Sequence, residues 1–155
     1  MRRTIPFGLA IALLVGCGHP QDPATIPRDS YPDGRAFERS IKQYPYKATA
    51  ERAARIIDGV KKLHRCMTKD EVSSSLGAPD FSEIGYGPKG PNARWQGSWW
   101  MFFVSKQSHL MNMQDPMVEV FFDTTDRAHW IVVHGIEGAS EIGSAEVPCT
   151  EIRLT

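Results

Sequence analysis

The 155-residue sequence carries no surplus of charge, because 18 Lys and Arg residues balance 18 Asp and Glu residues. A chain without a basic excess is not expected to bind nucleic acid or an anionic bilayer as its main partner. Residue patterns that support catalysis are also missing. The five histidines lack the spacing of metal ligands, and no Ser-His-Asp or Cys-His arrangement is evident. We therefore predict that the protein is not an enzyme, and we expect no metal, cofactor or small-molecule substrate.

The N-terminus lacks a hydrophobic run long enough to span a bilayer. Residues 6–15 are apolar, about half of the roughly 20 residues that a membrane-spanning helix needs. Arg2 and Arg3 precede this run, and a basic segment before a short apolar one is typical of a signal peptide. Removal of residues 1–16 leaves 16 basic residues against 18 acidic ones.

The sequence Leu14-Val15-Gly16-Cys17 has the form of a lipobox, at which the signal peptide is cut before a cysteine that carries diacylglycerol. We predict that Cys17 is lipidated and bears a palmitate-type acyl chain. Gly18 then stands where Asp would retain a lipoprotein in the inner membrane, which predicts an outer-membrane anchor with the domain facing the periplasm. The alternative is an ordinary secretory signal followed by an incidental cysteine.

Residues 17–48 form a predicted tether between the lipid and a folded domain over residues 49–155. The first half of this segment is polar and rich in proline, which favours an extended and flexible chain. The prolines are Pro20, Pro23, Pro27 and Pro32. A short helical turn is expected within residues 35–43.

Two helices are predicted at the start of the domain. Residues 50–63 place apolar side chains at three- and four-residue intervals, and Thr49 is a suitable N-cap. For the second helix, Thr68 and Glu71 have the spacing of a capping box at the start. Gly77, with Pro79 two residues later, is expected to end the helix. The second helix is therefore expected over Lys69–Leu76.

Three strands are predicted after the helices, at residues 95–104, 117–123 and 128–134, and the last two should form a hairpin. The first strand is apolar on both alternating faces, so it is either covered on both sides or uses one face for binding. Residues between Pro79 and the first strand contain several glycines and prolines, and we expect an exposed loop there.

The order of these elements resembles a known family. Met67-Thr68, Val72, Leu76-Gly77 and Pro79 fit the signature of the SmpA/OmlA (BamE-like) outer-membrane lipoprotein domain, and the aromatic strand and apolar hairpin follow in the family's order. The resemblance covers about residues 49–134. It implies an α+β fold with two helices packed on a three-stranded antiparallel sheet. Cys66 and Asp126 depart from the family's pattern, which commonly has Gly at both positions.

The resemblance implies a lipid-anchored accessory protein of the cell envelope, which binds other proteins in outer-membrane protein assembly or envelope integrity. A β-barrel assembly complex is the expected type of partner, although residues 17–49 do not match the segment with which the family's subunit contacts that complex. The alternative is a periplasmic enzyme inhibitor or immunity-like lipoprotein that uses the sheet face, as β-lactamase inhibitor proteins do.

Four aromatic side chains are candidates for partner binding, against the alternative that they belong to the core. They are Trp95, Trp99, Trp100 and Phe121.

Two cysteines remain once Cys17 is assigned to lipid. Because the periplasm is oxidising, we predict a disulfide between Cys66 and Cys149, with two buried free thiols as the alternative.

Overall fold

The computed structural model of the chain describes residues 29–86, 96–144 and 149. The predicted signal peptide, Cys17, the predicted tether up to residue 28 and Trp95 lie outside the described residues. The fold is α+β, as predicted. The described elements are α1 (Gly34–Ser40), β1 (Tyr46–Lys47), α2 (Ala50–Val60), α3 (Lys69–Leu76), β2 (Phe81–Tyr86), β3 (Gln96–Phe103), β4 (Ser105–Lys106), β5 (Met117–Phe122), β6 (Ala128–His134) and β7 (Ile142–Gly143).

The main sheet has five strands in the order β2-β3-β5-β6-β7, and each neighbouring pair is antiparallel. The prediction of a three-stranded sheet with two helices is therefore wrong in its counts. A separate two-stranded sheet joins β1 to β4. The three predicted strands are the inner ones, at β3, β5 and β6.

Strand β2 lies where the glycines and prolines after Pro79 predict an exposed loop, so that prediction is wrong for residues 81–86. A glycine of the neighbouring strand, Gly97 of β3, marks a close approach of two backbones. A side chain at Gly97 would place its Cβ only 1.8 Å from the carbonyl oxygen of Phe122. The two backbones can approach this closely because residue 97 has no side chain. Gly85 of β2 lies opposite Gly97 in the register.

The two predicted helices are confirmed. Helix α3 has the expected capping box: the Thr68 backbone N–H donates to Glu71 Oε2 at 2.7 Å, and the Glu71 N–H donates to Thr68 Oγ1 at 3.2 Å. It ends at Gly77, whose φ of 86° is a conformation that glycine adopts without strain. Helix α2 ends at Val60, three residues before the end of its apolar stripe. Helix α1 lies within the segment that was expected to hold a helical turn.

Helices α2 and α3 cover one face of the sheet. Their buried residues include Ile56, Val72 and Leu76, and these pack with the β3 side chains Trp100 and Phe102 in the larger core cluster. Helix α1 contributes Phe37 to a second cluster on the opposite face, over one end of β3. Both faces of β3 are therefore covered along part of its length, because helices lie on both sides.

Cys66 and Cys149 form the predicted disulfide, with their Cα atoms 5.5 Å apart. The bond joins the segment between α2 and α3 to the C-terminal part of the chain. Cys66 has a φ of 69° and Asp126 a φ of 58°, both in the left-handed region that favours glycine.

Asp29 attaches the N-terminal segment to the domain. Its carboxylate accepts hydrogen bonds from Lys69 Nζ at 2.6 Å, from Trp100 Nε1 at 2.6 Å and from Ser82 Oγ at 2.8 Å. Burial alone would raise the pKa of this carboxyl. The hydrogen bonds outweigh that effect and hold the pKa of Asp29 below its ordinary value of 3.8, so the group is an anion at neutral pH. Asp29, which lies within the predicted tether, therefore attaches this segment to the domain.

Candidate functional site

A row of three aromatic rings crosses the face of the sheet that lies opposite α2 and α3. Trp99 of β3 pairs with Phe121 of β5, and Phe121 pairs with Trp130 of β6. Neighbouring rings are stacked, with centroids 5.7 Å and 4.6 Å apart. We call Trp99, Phe121 and Trp130 the aromatic row. Because side chains alternate along a strand, Trp100 points to the other face.

The aromatic row is only partly covered. All three side chains keep part of their surface exposed, and Phe121 and Trp130 belong to neither of the two core clusters found among the described residues. Helix α1 has seven residues and reaches only one end of this face, where Phe37 stacks on Phe103 with ring centroids 5.6 Å apart. The short helix therefore leaves Phe121 and Trp130 outside the protein core, whereas Trp99 packs against the edge of the second core cluster.

Polar contacts hold the far part of the row in place. Trp130 Nε1 donates a hydrogen bond to Glu141 Oε1 at 2.6 Å. On the same face, His134 Nε2 lies 2.7 Å from Glu119 Oε1, and Glu119 is only 5% exposed. The hydrogen bond restricts the rotamers of Trp130, which lowers the entropy that this side chain would lose when a partner binds.

The candidate residues chosen from sequence divide between the two faces. Trp99 and Phe121 come together in the aromatic row. Trp100 does not join them: it is 2% exposed, packs in the larger core cluster and donates its indole N–H to Asp29. A partner cannot reach it without unfolding the domain, so we exclude it from the site. Trp95 lies outside the described residues.

Trp130 is the member of the row that sequence reasoning missed. The register between β5 and β6 shifts by one residue between Phe121 and Phe122, where Phe122 pairs with Ala128 and Phe121 with Trp130. Counting outward from the turn would place His129 opposite Phe121. A bulge of this kind redirects a side chain and leaves little trace in the sequence.

Metal-binding groups and membrane-spanning helices were sought in the part of the chain that the structure describes. There, no group of three or more His, Cys, Asp and Glu side chains is placed to hold a metal ion. Within the same residues, no helix has both the length and the apolar character to cross a membrane. His129 is fully buried, and burial lowers its pKa, so its imidazole is neutral at pH 7.

Comparisons of the chain with protein-family models, with curated proteins and with solved structures find no match. The function is therefore inferred from the site itself. Stacked aromatic rings fixed on a sheet offer a rigid apolar surface, and aromatic side chains of this type are over-represented among the residues that dominate binding between proteins.

Proposed function

We propose that the protein is a lipoprotein, anchored in the outer membrane through Cys17, whose periplasmic domain binds another envelope protein through the aromatic row. The observation that carries this proposal is the partly exposed stack of Trp99, Phe121 and Trp130. The expected partner is a protein such as a subunit of a β-barrel assembly complex, and the role is accessory: assembly of outer-membrane proteins or maintenance of the envelope.

The backbone conformation of two residues supports the resemblance on which this role rests. Cys66 and Asp126 stand where the SmpA/OmlA (BamE-like) family commonly has glycine, and both residues have positive φ. A backbone that suits glycine is therefore present at both positions, although the side chains differ. The capping box of α3 and the order of helices before the strands β3, β5 and β6 agree with the same family.

The lipid contributes to binding by confining the domain to the membrane surface. A tethered domain meets a membrane-bound partner at a higher effective concentration than a free one does, so a modest contact surface is sufficient. The variant Cys17→Ser separates the two contributions. It should bind the purified partner with unchanged affinity in solution, yet recover less of it from intact envelopes.

The test of the proposal is recovery of the partner from envelopes with the tagged full-length chain. The double variant Phe121→Ser, Trp130→Ser should recover at least tenfold less partner, because loss of a central aromatic contact typically costs about 2 kcal/mol or more in binding. The matched control is Ile57→Ser on α2, which also removes a partly buried apolar side chain but lies in the helix layer. Equal recovery with both variants would contradict the proposal.

An inhibitor or immunity-like role is the second candidate, and the same observation favours it, since a rigid aromatic sheet face suits contact with an enzyme. The recovered protein distinguishes the two roles. An envelope assembly protein supports the accessory role. A periplasmic enzyme whose activity falls on addition of the purified chain, and is restored with the double variant, supports inhibition.

A further inference from the structure

An open groove adjoins the aromatic row at Trp99. It has a volume of about 670 Å³ and lies between α1, the strands β2 and β3, and the segment that follows β4. Its walls are largely apolar and are built from Phe81, Trp99, Phe103 and Met111. A groove of this size, with apolar walls and a few charged groups, is typical of a ligand-binding site.

The acidic groups in the groove are already engaged by groups of the protein itself. Glu38 Oε1 forms an ion pair with Lys106 Nζ at 3.0 Å. Glu38 Oε2 accepts a hydrogen bond from the Tyr44 hydroxyl. Glu83 Oε1 accepts the backbone N–H of Gly34 at 2.8 Å, at the start of α1. Glu38 is therefore paired with a lysine, and Glu83 is held by the first turn of α1.

The basic groups at the rim are not engaged in the same way. Arg35 and Arg39 are exposed, lie one turn apart on α1, and form no ion pair with any other described residue. The exposed imidazole of His109 stands on the other lining segment. The groove lining therefore carries three cationic side chains, those of Arg35, Arg39 and Lys106, against two carboxylates, and neither arginine is paired with one.

A buried lysine shapes the remaining wall. Lys106 is 2% exposed, and its ammonium also donates to the carbonyl oxygens of Ser108 at 2.6 Å and Leu110 at 3.1 Å. In the segment that follows, Leu110, Met111 and Met113 are 66%, 47% and 60% exposed, and Met111 lines the groove. Large apolar side chains at this exposure, beside an apolar groove, enlarge the surface that a ligand can cover.

We propose that this groove binds a short acidic segment of a partner protein, in which one or two apolar anchors are flanked by Asp or Glu. The apolar anchors occupy the groove, and the carboxylates pair with Arg35 and Arg39, whose planar guanidinium groups suit carboxylates. Charge complementarity favours this occupant: the lining has one more cationic side chain than it has carboxylates, and the two arginines, unlike Lys106, have no carboxylate partner among the described residues. Trp99 lines both the groove and the aromatic row, so the segment extends the contact proposed above and the inference rests on that proposed function.

The test is selection of a displayed library of random twelve-residue peptides on the full mature chain that carries Cys17→Ser, followed by affinity measurement with selected peptides. The selected peptides should share acidic residues beside Leu, Ile, Phe or Trp. Arg35→Glu with Arg39→Glu should weaken their binding at least tenfold, and raising the salt concentration should weaken it in the wild type. Met111→Ser should weaken binding several-fold without changing its salt dependence.

The matched control is Lys61→Glu with Lys62→Glu, which makes the same change of charge at exposed positions on the other side of the sheet and should leave peptide affinity unchanged. Selection of neutral or basic peptides would overturn the inference. So would the absence of any selected peptide together with arginine-dependent binding of anionic phospholipid vesicles, which would assign the groove to lipid. If the partner is still recovered through the aromatic row while the α1 variants have no effect, the groove proposal fails and the proposed function stands.

Discussion

Removal of the Cys66–Cys149 disulfide should lower the free energy of unfolding by about 3 to 4.5 kcal/mol. The bond closes a loop across 83 positions of the chain, and in the chain-entropy model a loop of this length restricts the unfolded state by about 4.5 kcal/mol. The upper value assumes that the reduced unfolded chain has no residual structure. The measurement is urea unfolding of the oxidised protein and of the double variant Cys66→Ser, Cys149→Ser.

The disulfide also positions groups around the turn between β5 and β6. The backbone N–H of Cys149 donates to Asp123 Oδ2 at 2.9 Å, and the N–H of Cys66 donates to the carbonyl oxygen of Ala128 at 2.7 Å. Burial raises the pKa of Asp123, but hydrogen bonds from Thr125, Cys149 and Arg127 outweigh it and lower the pKa. A reducing agent should destabilise the wild type and leave the double variant unaffected. Identical unfolding curves for the oxidised and reduced wild type would contradict the prediction.

Replacement of Gly59 by Ala should destabilise the protein by about 1 to 3 kcal/mol, although helix propensity favours Ala at this position by up to about 1 kcal/mol. Gly59 lies in α2 where it meets α3. A Cβ atom there would be 2.4 Å from the carbonyl oxygen of Ser75 and 3.0 Å from Leu76 Cδ2. The first contact is with backbone, so α2 and α3 would have to move apart.

A control in the same helix separates propensity from packing. Ala54 is exposed on α2, and Ala54→Gly should cost about 1 kcal/mol by propensity alone. The two substitutions are opposite in chemistry, yet both should lower the midpoint of urea unfolding. A higher midpoint for Gly59→Ala would show that the close approach of α2 and α3 at Gly59 does not limit stability.

The parts of the fold that the sequence predicted well are those decided by neighbouring residues. The ends of α3 depend on Thr68, Glu71 and Gly77, all within ten positions of one another, and the helix begins and ends as expected. The disulfide followed from the number of cysteines and the expected compartment. The inner strands β3, β5 and β6 followed from dense runs of apolar and β-branched residues.

The parts that were missed depend on contacts between distant residues. Strand β2 pairs with β3 along all six of its residues, whereas its own sequence, with Gly85 among them, is also compatible with a loop. The choice between Trp99 and Trp100 depended on which face of β3 the helices α2 and α3 cover. Trp130 lies in the aromatic row because of the bulge in β6, which no local pattern predicts. The groove depends on the position of α1 beside β2, two elements whose contact the sequence does not reveal.

The most direct test of the aromatic row as a protein-binding surface is site-specific photocrosslinking in intact envelopes, with a photoreactive phenylalanine analogue placed in turn at Phe121, Trp130 and Lys62. We expect one envelope protein, identified by mass spectrometry, to be crosslinked from Phe121 and from Trp130, and at least tenfold less of it from Lys62 on the opposite side of the sheet. Equal yields of that protein from all three positions, or crosslinks from Phe121 and Trp130 to lipid and abundant bystander proteins alone, would contradict the proposed role of the row.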